Sequence, residues 1–168
     1  THRVLLTPPA SAAAAFRPMM DEMFAEPTIA LSQLGEQSAD PWTAWASNHV
    51  TSWSAMSGEL PQNVFVQTVQ GRPGNELLLR FAHQFAVGED PHLSQPVTFS
   101  LDGLFSAFDI ASVQEMSLTA NQPLASMHRL KWKTVDGVEQ IDSAPRLAGA
   151  SNVTLAPLSF ATFVATLN

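Results

Sequence analysis

At 168 residues, 45% of them apolar and none of them cysteine, the chain is long enough for one domain with a sizeable core, and disulfides and thiolate metal sites are excluded within it. Eight Lys and Arg against 15 Asp and Glu leave a formal charge of -7 with no basic run, which argues against nucleic acid as a partner. Charged residues make up only 14%, where an average soluble domain has roughly 25%, so much of the surface is expected to lie against something else.

In chain order, Thr1 stands where an initiator Met would be and no signal-peptide pattern follows, so the chain reads as a processed or excised piece. Between Ala10 and Phe24 the spacing of Phe16, Met19, Met20, Met23 and Phe24 predicts an amphipathic helix. Pro18 lacks an N–H and its ring crowds the preceding turn, so a short broken helix is expected. Residues 35–59 are polar and irregular apart from Trp42, Trp45 and Trp53. Asp40 before Pro41 can cap one turn of helix there, but the Thr, Asn and Ser content speaks against a long one.

From Leu60 the pattern becomes a series of strands. Residues 63–69 lead through "QGRPGNE" into 77–85, where Leu77, Leu79, Phe81, His83 and Phe85 share one face. Further strands are predicted at 97–101, 108–118, 129–135 and 153–167, with turns at Asp102-Gly103 and Asp136-Gly137. Leu130, Trp132 and Thr134 alternate with Arg129, Lys131 and Lys133, as in a half-exposed strand. The last stretch is apolar on both faces, so its strand should be central or covered. It is too short for the roughly 20 residues of a membrane helix, and a soluble protein is expected. The reading is mainly β: an antiparallel β-sandwich over 60–168, preceded by a short helix and an irregular segment over 1–59 that packs on a neighbouring domain.

His83, Gly88, Glu89, Asp90 and His92 gather enough polar groups to suggest a metal or acid/base site. Zinc wants ligands at defined spacing on rigid elements, and this run has none. Adjacent carboxylates on an extended chain point apart and make a poor acid/base pair. The favoured reading is structural: His83 is a hydrogen-bonded strand residue, and Glu89 and Asp90 cap a turn or pair with Arg80 or a partner's basic group. No nucleophile elbow, phosphate loop or dinucleotide fingerprint is present, so no catalytic and no metal-ligating residue is assigned. Trp42, Trp45 and Trp53 suit a sugar-stacking platform or, preferably, an interface anchor. "NVT" at 152–154 makes Asn152 an N-glycosylation acceptor if the chain enters the secretory pathway.

The blocks "LPQNVFVQTVQ", "LLLRFAHQFAVGEDPHLSQPVTFSLDGLFSAF", "QEMSLTANQ", "RLKWKT" and "NVTLAPLSFATFVATL" resemble the C-terminal region of lysosomal-type acid α-mannosidases of glycoside hydrolase family 38, covering most of 60–168. "HRVLLTPPASAAAAFRPMMDEMF" resembles the preceding segment more loosely, and residues 40–56 depart from the pattern. The resemblance implies a zinc-dependent retaining enzyme acting on mannose-containing glycans, whose nucleophile, acid/base carboxylate and zinc ligands lie upstream of this region. It also implies the remaining chains of the same enzyme as partners, a homo-oligomer, and a lysosomal, vacuolar or secreted location. The alternative is a stand-alone carbohydrate-binding or structural β-sandwich module.

Overall fold

The computed structural model of the protein describes residues 2–25, 28–33, 40–128 and 145–168. The predicted strand at 129–135 and the Asp136-Gly137 turn lie outside the described residues.

A 3-10 turn at Pro9–Ser11 leads into α1, Ala12–Phe24, which runs through Pro18 as one helix. The expected break is therefore absent: a proline removes one backbone hydrogen bond and crowds one carbonyl, but the turns on either side keep theirs. No residue of α1 is buried, and Phe16 and Phe24 stay exposed. A second helix, α2, is the single short one expected, Pro41–Ala46. Asp40 caps it by accepting from the Thr43 N–H at 3.2 Å and from the Thr43 hydroxyl at 2.6 Å.

The strands are β1 Val64–Arg72, β2 Glu76–His83, β3 Val97–Ser100, β4 Ile110–Met116, β5 Leu147–Ala148, β6 Asn152–Leu155 and β7 Phe160–Leu167. They form two antiparallel sheets, one in the order β1-β2-β7-β4 and one in the order β3-β6-β5. The β1–β2 turn is tighter than the glycines suggested. Arg72 pairs with Glu76, leaving three turn residues, of which Gly74 and Asn75 take left-handed φ of 86° and 60°. The stretch 153–167 is two strands, not one. Pro157 offers no N–H for a ladder and Leu158 turns left-handed at φ 54°, so β6 and β7 part into different sheets. β7 is central, between β2 and β4, and its middle is buried on both faces. Among the described residues β1 and β4 are the outer strands of the four-stranded sheet, and each carries a register irregularity.

Alternation along the strands builds the core between the sheets. Leu79 and Phe81 of β2, Ala161, Phe163 and Ala165 of β7, Phe99 of β3, and Val153 and Leu155 of β6 form one buried cluster. Phe81 joins the layers, with its ring edge-on to Phe99 at 5.1 Å and tilted to Phe163 at 6.2 Å. One carboxylate reaches this interior. Glu115 of β4, buried, accepts from the Arg146 and Leu147 N–H groups at 2.7 and 3.1 Å and pairs with the Arg146 guanidinium at 3.3 Å. The irregular segment is tied on at Met56, which bridges to Phe105. Ser57 N–H donates to the Leu104 carbonyl and Ser57 Oγ to that of Gly103, in the expected Asp102-Gly103 turn.

Candidate functional site

The polar corner after β2 starts at His83, buried on the face that β2 turns inward. Its Nδ1 accepts the Phe85 N–H at 3.2 Å, so the ring proton sits on Nε2, 2.9 Å from the Gln95 carbonyl. The amide nitrogen of Asn63 lies 3.2 Å from Nε2 and donates to Leu93 O at 3.1 Å. Both imidazole nitrogens are therefore occupied by the protein's own backbone. Gly88, at φ 73°, lets the chain fold back so that Glu89 accepts the Ala86 N–H at 2.8 Å. Asp90 accepts the His92 and Leu93 N–H groups, both at 2.8 Å, and its own N–H donates to Ser94 Oγ.

Glu89 pairs not with Arg80 but with Arg17 of α1, both carboxylate oxygens lying 2.7 Å from Nη2. Arg80 instead points its Nε at the Leu118 carbonyl. The Arg17 guanidinium also sits over the Phe85 ring, 5.6 Å from its centre, and Asp21, one helical turn on, accepts from the Gln84 amide. These contacts join α1 to the corner across 63 residues of sequence for Asp21 and Gln84 and 72 for Arg17 and Glu89, separations that no local pattern signals. The bond from Arg17 and the Ala86 N–H hold the Glu89 carboxyl below the usual glutamate range. The two backbone N–H donors from Leu93 and His92 do the same for Asp90. Glu89, Asp90 and His83 are held by these bonds in a turn, while the exposed imidazole of His92 makes no hydrogen bond among the described residues. Among the described residues no three His, Asp or Glu side chains converge as a metal would need.

The tryptophans do not form one platform. Trp42 and Trp45, on neighbouring positions of α2, stack at 5.6 Å, and His49 stacks on Trp45 at 4.3 Å. Trp42 is 56% exposed; Trp53 is 70% exposed and stands apart from the stack. Asn152 opens β6 on its exposed face, between Ser100 of β3 and Ala148 of β5, while Val153 beside it points into the core. The sequon's Thr154 shares that outer face and meets the Thr98 hydroxyl at 2.8 Å.

Sequence reading passed over a groove of about 510 Å³ at the loop after β4 and the start of β7, lined in part by Leu118, Asn121, Gln122, Arg146, Leu158 and Phe160. These residues are scattered over 43 positions, and only the sheet order brings them together.

Residues 63–163 match the family described as glycosyl hydrolases family 38 C-terminal beta sandwich domain. The chain is also similar to the lysosomal alpha-mannosidases of Mus musculus and Homo sapiens, 39% and 35% identical over 168 residues and 99% of this chain. That of Felis catus is 46% identical over 116 residues, 68% of this chain. The chain spans only 16% of the length of the mouse and human proteins and 11% of the cat protein. With a matched segment that coincides with the two antiparallel sheets described above, the chain belongs to glycosyl hydrolase family 38, to its C-terminal β-sandwich domain.

Proposed function

We propose that this chain is the C-terminal part of an α-mannosidase that removes terminal α-D-mannose residues from N-glycans and oligosaccharides, with the chemistry performed by the rest of that enzyme. The observation that carries the reading is the match itself: alpha-mannosidases align over nearly the whole chain, which is about one sixth of their length. The corner from His83 to Ser94 supports it, because Glu89, Asp90 and the His83 imidazole bond to the backbone and hold a turn. Zinc, and the aspartate nucleophile and acid/base carboxylate of a retaining mechanism, belong on this reading to the remaining part. The described residues of this chain do not fit a zinc site, so no step is derived through one here.

Three further features follow from the same reading. The remaining chain or chains of the enzyme cover the apolar surface of residues 2–53, where Trp42 and Trp53 act as anchors. The enzyme resides in a lysosome or vacuole, or is secreted, and assembles as a homo-oligomer. Asn152, exposed and followed by Val153 and Thr154, carries an N-glycan. The open face of Trp42 favours the second reading, a stand-alone carbohydrate-binding module.

The test is to assay an aryl α-mannoside, with zinc present, against the 168-residue chain alone and against the polypeptide that includes the rest of the enzyme. Turnover is expected only from the longer polypeptide. Turnover by the purified short chain overturns the division of labour. A monodisperse short chain that binds mannosides through the tryptophans, with no turnover by the longer polypeptide, establishes the module instead.

A further inference from the structure

We infer that the groove beside the start of β7 is a saccharide subsite, taking a short neutral stretch of a mannose-rich glycan; this rests on the α-mannosidase reading above. Its volume of about 510 Å³ falls within the roughly 300–1,000 Å³ typical of small-ligand sites. One side is apolar and open: Leu118, Leu158 and Phe160 are 64%, 55% and 48% exposed, and Phe160 brings an aromatic ring. Such a ring packs on the C–H face of a pyranose by burying apolar area.

The polar groups have unused hydrogen-bonding capacity. Asn121 accepts from Ser117 Oγ and Thr119 Oγ1 through its Oδ1, which fixes the amide and leaves its NH₂ as a donor. The Gln122 side chain makes no hydrogen bond among the described residues. Ser159, also at the groove, has a hydroxyl that makes no hydrogen bond among the described residues. Arg146 is already neutralised by Glu115, and among the described residues no carboxylate lines the groove, so an uncharged occupant suits these groups best. An aromatic face beside free amides, with charge balanced, suits a neutral polyhydroxylated ring.

The groove is also held in shape. The Leu118 carbonyl accepts from Thr162 Oγ1 at 3.2 Å and Arg80 Nε at 3.4 Å, and Ser117 N–H donates to Gln122 O at 2.9 Å. Leu158 of the groove and Ala120, in the loop that carries Thr119 and Asn121, adopt left-handed φ of 54° and 58°. Backbone of that kind persists only where its surroundings over-determine it, and it tends to gather at binding sites. A rigid groove loses little freedom when a ligand enters.

The experiment uses the full-length enzyme, with Phe160→Ala and Gln122→Ala compared against the unaltered protein on a mannose-rich oligosaccharide and on an aryl α-mannoside. The expected result is a rise of about five- to tenfold in KM for the oligosaccharide, the size of losing roughly 1–1.4 kcal/mol of binding, with kcat and all aryl-mannoside parameters unchanged. NMR titration of the unaltered enzyme with mannotriose should shift resonances of Phe160 and Gln122. Unchanged oligosaccharide KM in a folded Gln122→Ala variant, together with no mannotriose shifts, overturns the subsite; this decides the matter even if Phe160→Ala fails to fold. Absence of aryl-mannoside turnover in the unaltered enzyme overturns the α-mannosidase reading instead, and so separates the two failures.

Discussion

The first 53 residues and the sandwich that follows spend their apolar residues in opposite ways. Among the described residues no buried hydrophobic side chain precedes Val64, whereas ten of the fifteen large hydrophobics left exposed fall at or before Trp53. Leu31 is 93% exposed and Phe24 78%, while Phe81 and Phe163 are wholly enclosed. The hydrogen bonds of α1 to the sandwich come from its polar residues: Arg17 and Asp21 hold Glu89 and Gln84, while the phenylalanines at 16 and 24 stay exposed. A surface of that size and greasiness is rare on a free monomer. The difference teaches that, among the described residues, the sandwich buries its apolar side chains within this chain, whereas the leading segment leaves most of its large ones exposed.

The contrast breaks most sharply on a pair of identical truncations. Phe81→Ala should destabilise the chain by about 3–5 kcal/mol, because the ring touches both sheets and its cavity cannot collapse. Phe24→Ala should change the stability of the same chain by less than about 0.5 kcal/mol. Urea titration of both variants checks the pair; equal losses would erase the distinction between the two regions. If the rest of the enzyme covers the ring, as proposed above, Phe24→Ala should become costly in the longer polypeptide.

A second large effect is expected at Glu115. Replacing it with Ala strands the Arg146 and Leu147 N–H groups in a buried setting and should cost about 2–3 kcal/mol in a thermal or urea melt. Glu115→Gln keeps an acceptor oxygen and should lose less. A neutral result at Glu115→Ala would mean that water reaches this part of the interior.

These two sites also show what the sequence made legible. Phe81 could be named as core beforehand because Leu77, Leu79, Phe81, His83 and Phe85 repeat with a strand's period of two, and a period needs no knowledge of the partner strand. Glu115 could not, since one acid in "FDIASVQEMSL" gives no sign that its carboxylate turns inward to meet Arg146, 31 residues on. β5 is two residues long and leaves no pattern to read. The join between β6 and β7 was missed for another reason: "VTLAPLSFATFVATL" is apolar throughout, and only Pro157 and the left-handed Leu158 mark the change of sheet. The groove was invisible because it is a product of strand order rather than of any stretch of chain.

A smaller, pH-dependent effect should separate the two regions in solution. The folded Glu89 carboxyl titrates below its unfolded value of about 4.3, so its pairing with Arg17 stabilises the fold fully above that pH and is lost as pH falls through the depressed value. Asp90 is shifted in the same direction by its own backbone donors and shares the sign. As pH drops below about 4, α1 should leave the corner before the sandwich melts, seen as loss of amide protection over residues 12–24 with β2 and β7 still protected. Arg17→Ala should weaken the attachment at neutral pH by about 1 kcal/mol and flatten this dependence. If protection in α1 and β7 is lost together in the unaltered chain, helix and sandwich are one cooperative unit.

The smallest effect expected on folding, and one that tests the sandwich's outer face, is at Asn152. Its side chain projects from the exposed side of β6 while Val153 and Leu155 fill the core, so a glycan there meets solvent, not packing. Asn152→Gln should therefore leave stability within about 0.5 kcal/mol. When the enzyme passes through a secretory pathway, the unaltered protein should weigh more than this variant by one N-glycan in mass spectrometry. Thr154 allows a cleaner pair: Thr154→Ser keeps the sequon and a hydroxyl facing Thr98, whereas Thr154→Val keeps the shape and removes both. The first should retain the glycan and the second lose it, with Thr154→Val giving up about 1 kcal/mol at most for the lost hydroxyl contact. An unmodified Asn152 in all these proteins would show that the exposed face of β6 is covered before the glycan can be added, and would move the boundary between free and covered surface from Trp53 into the sandwich itself.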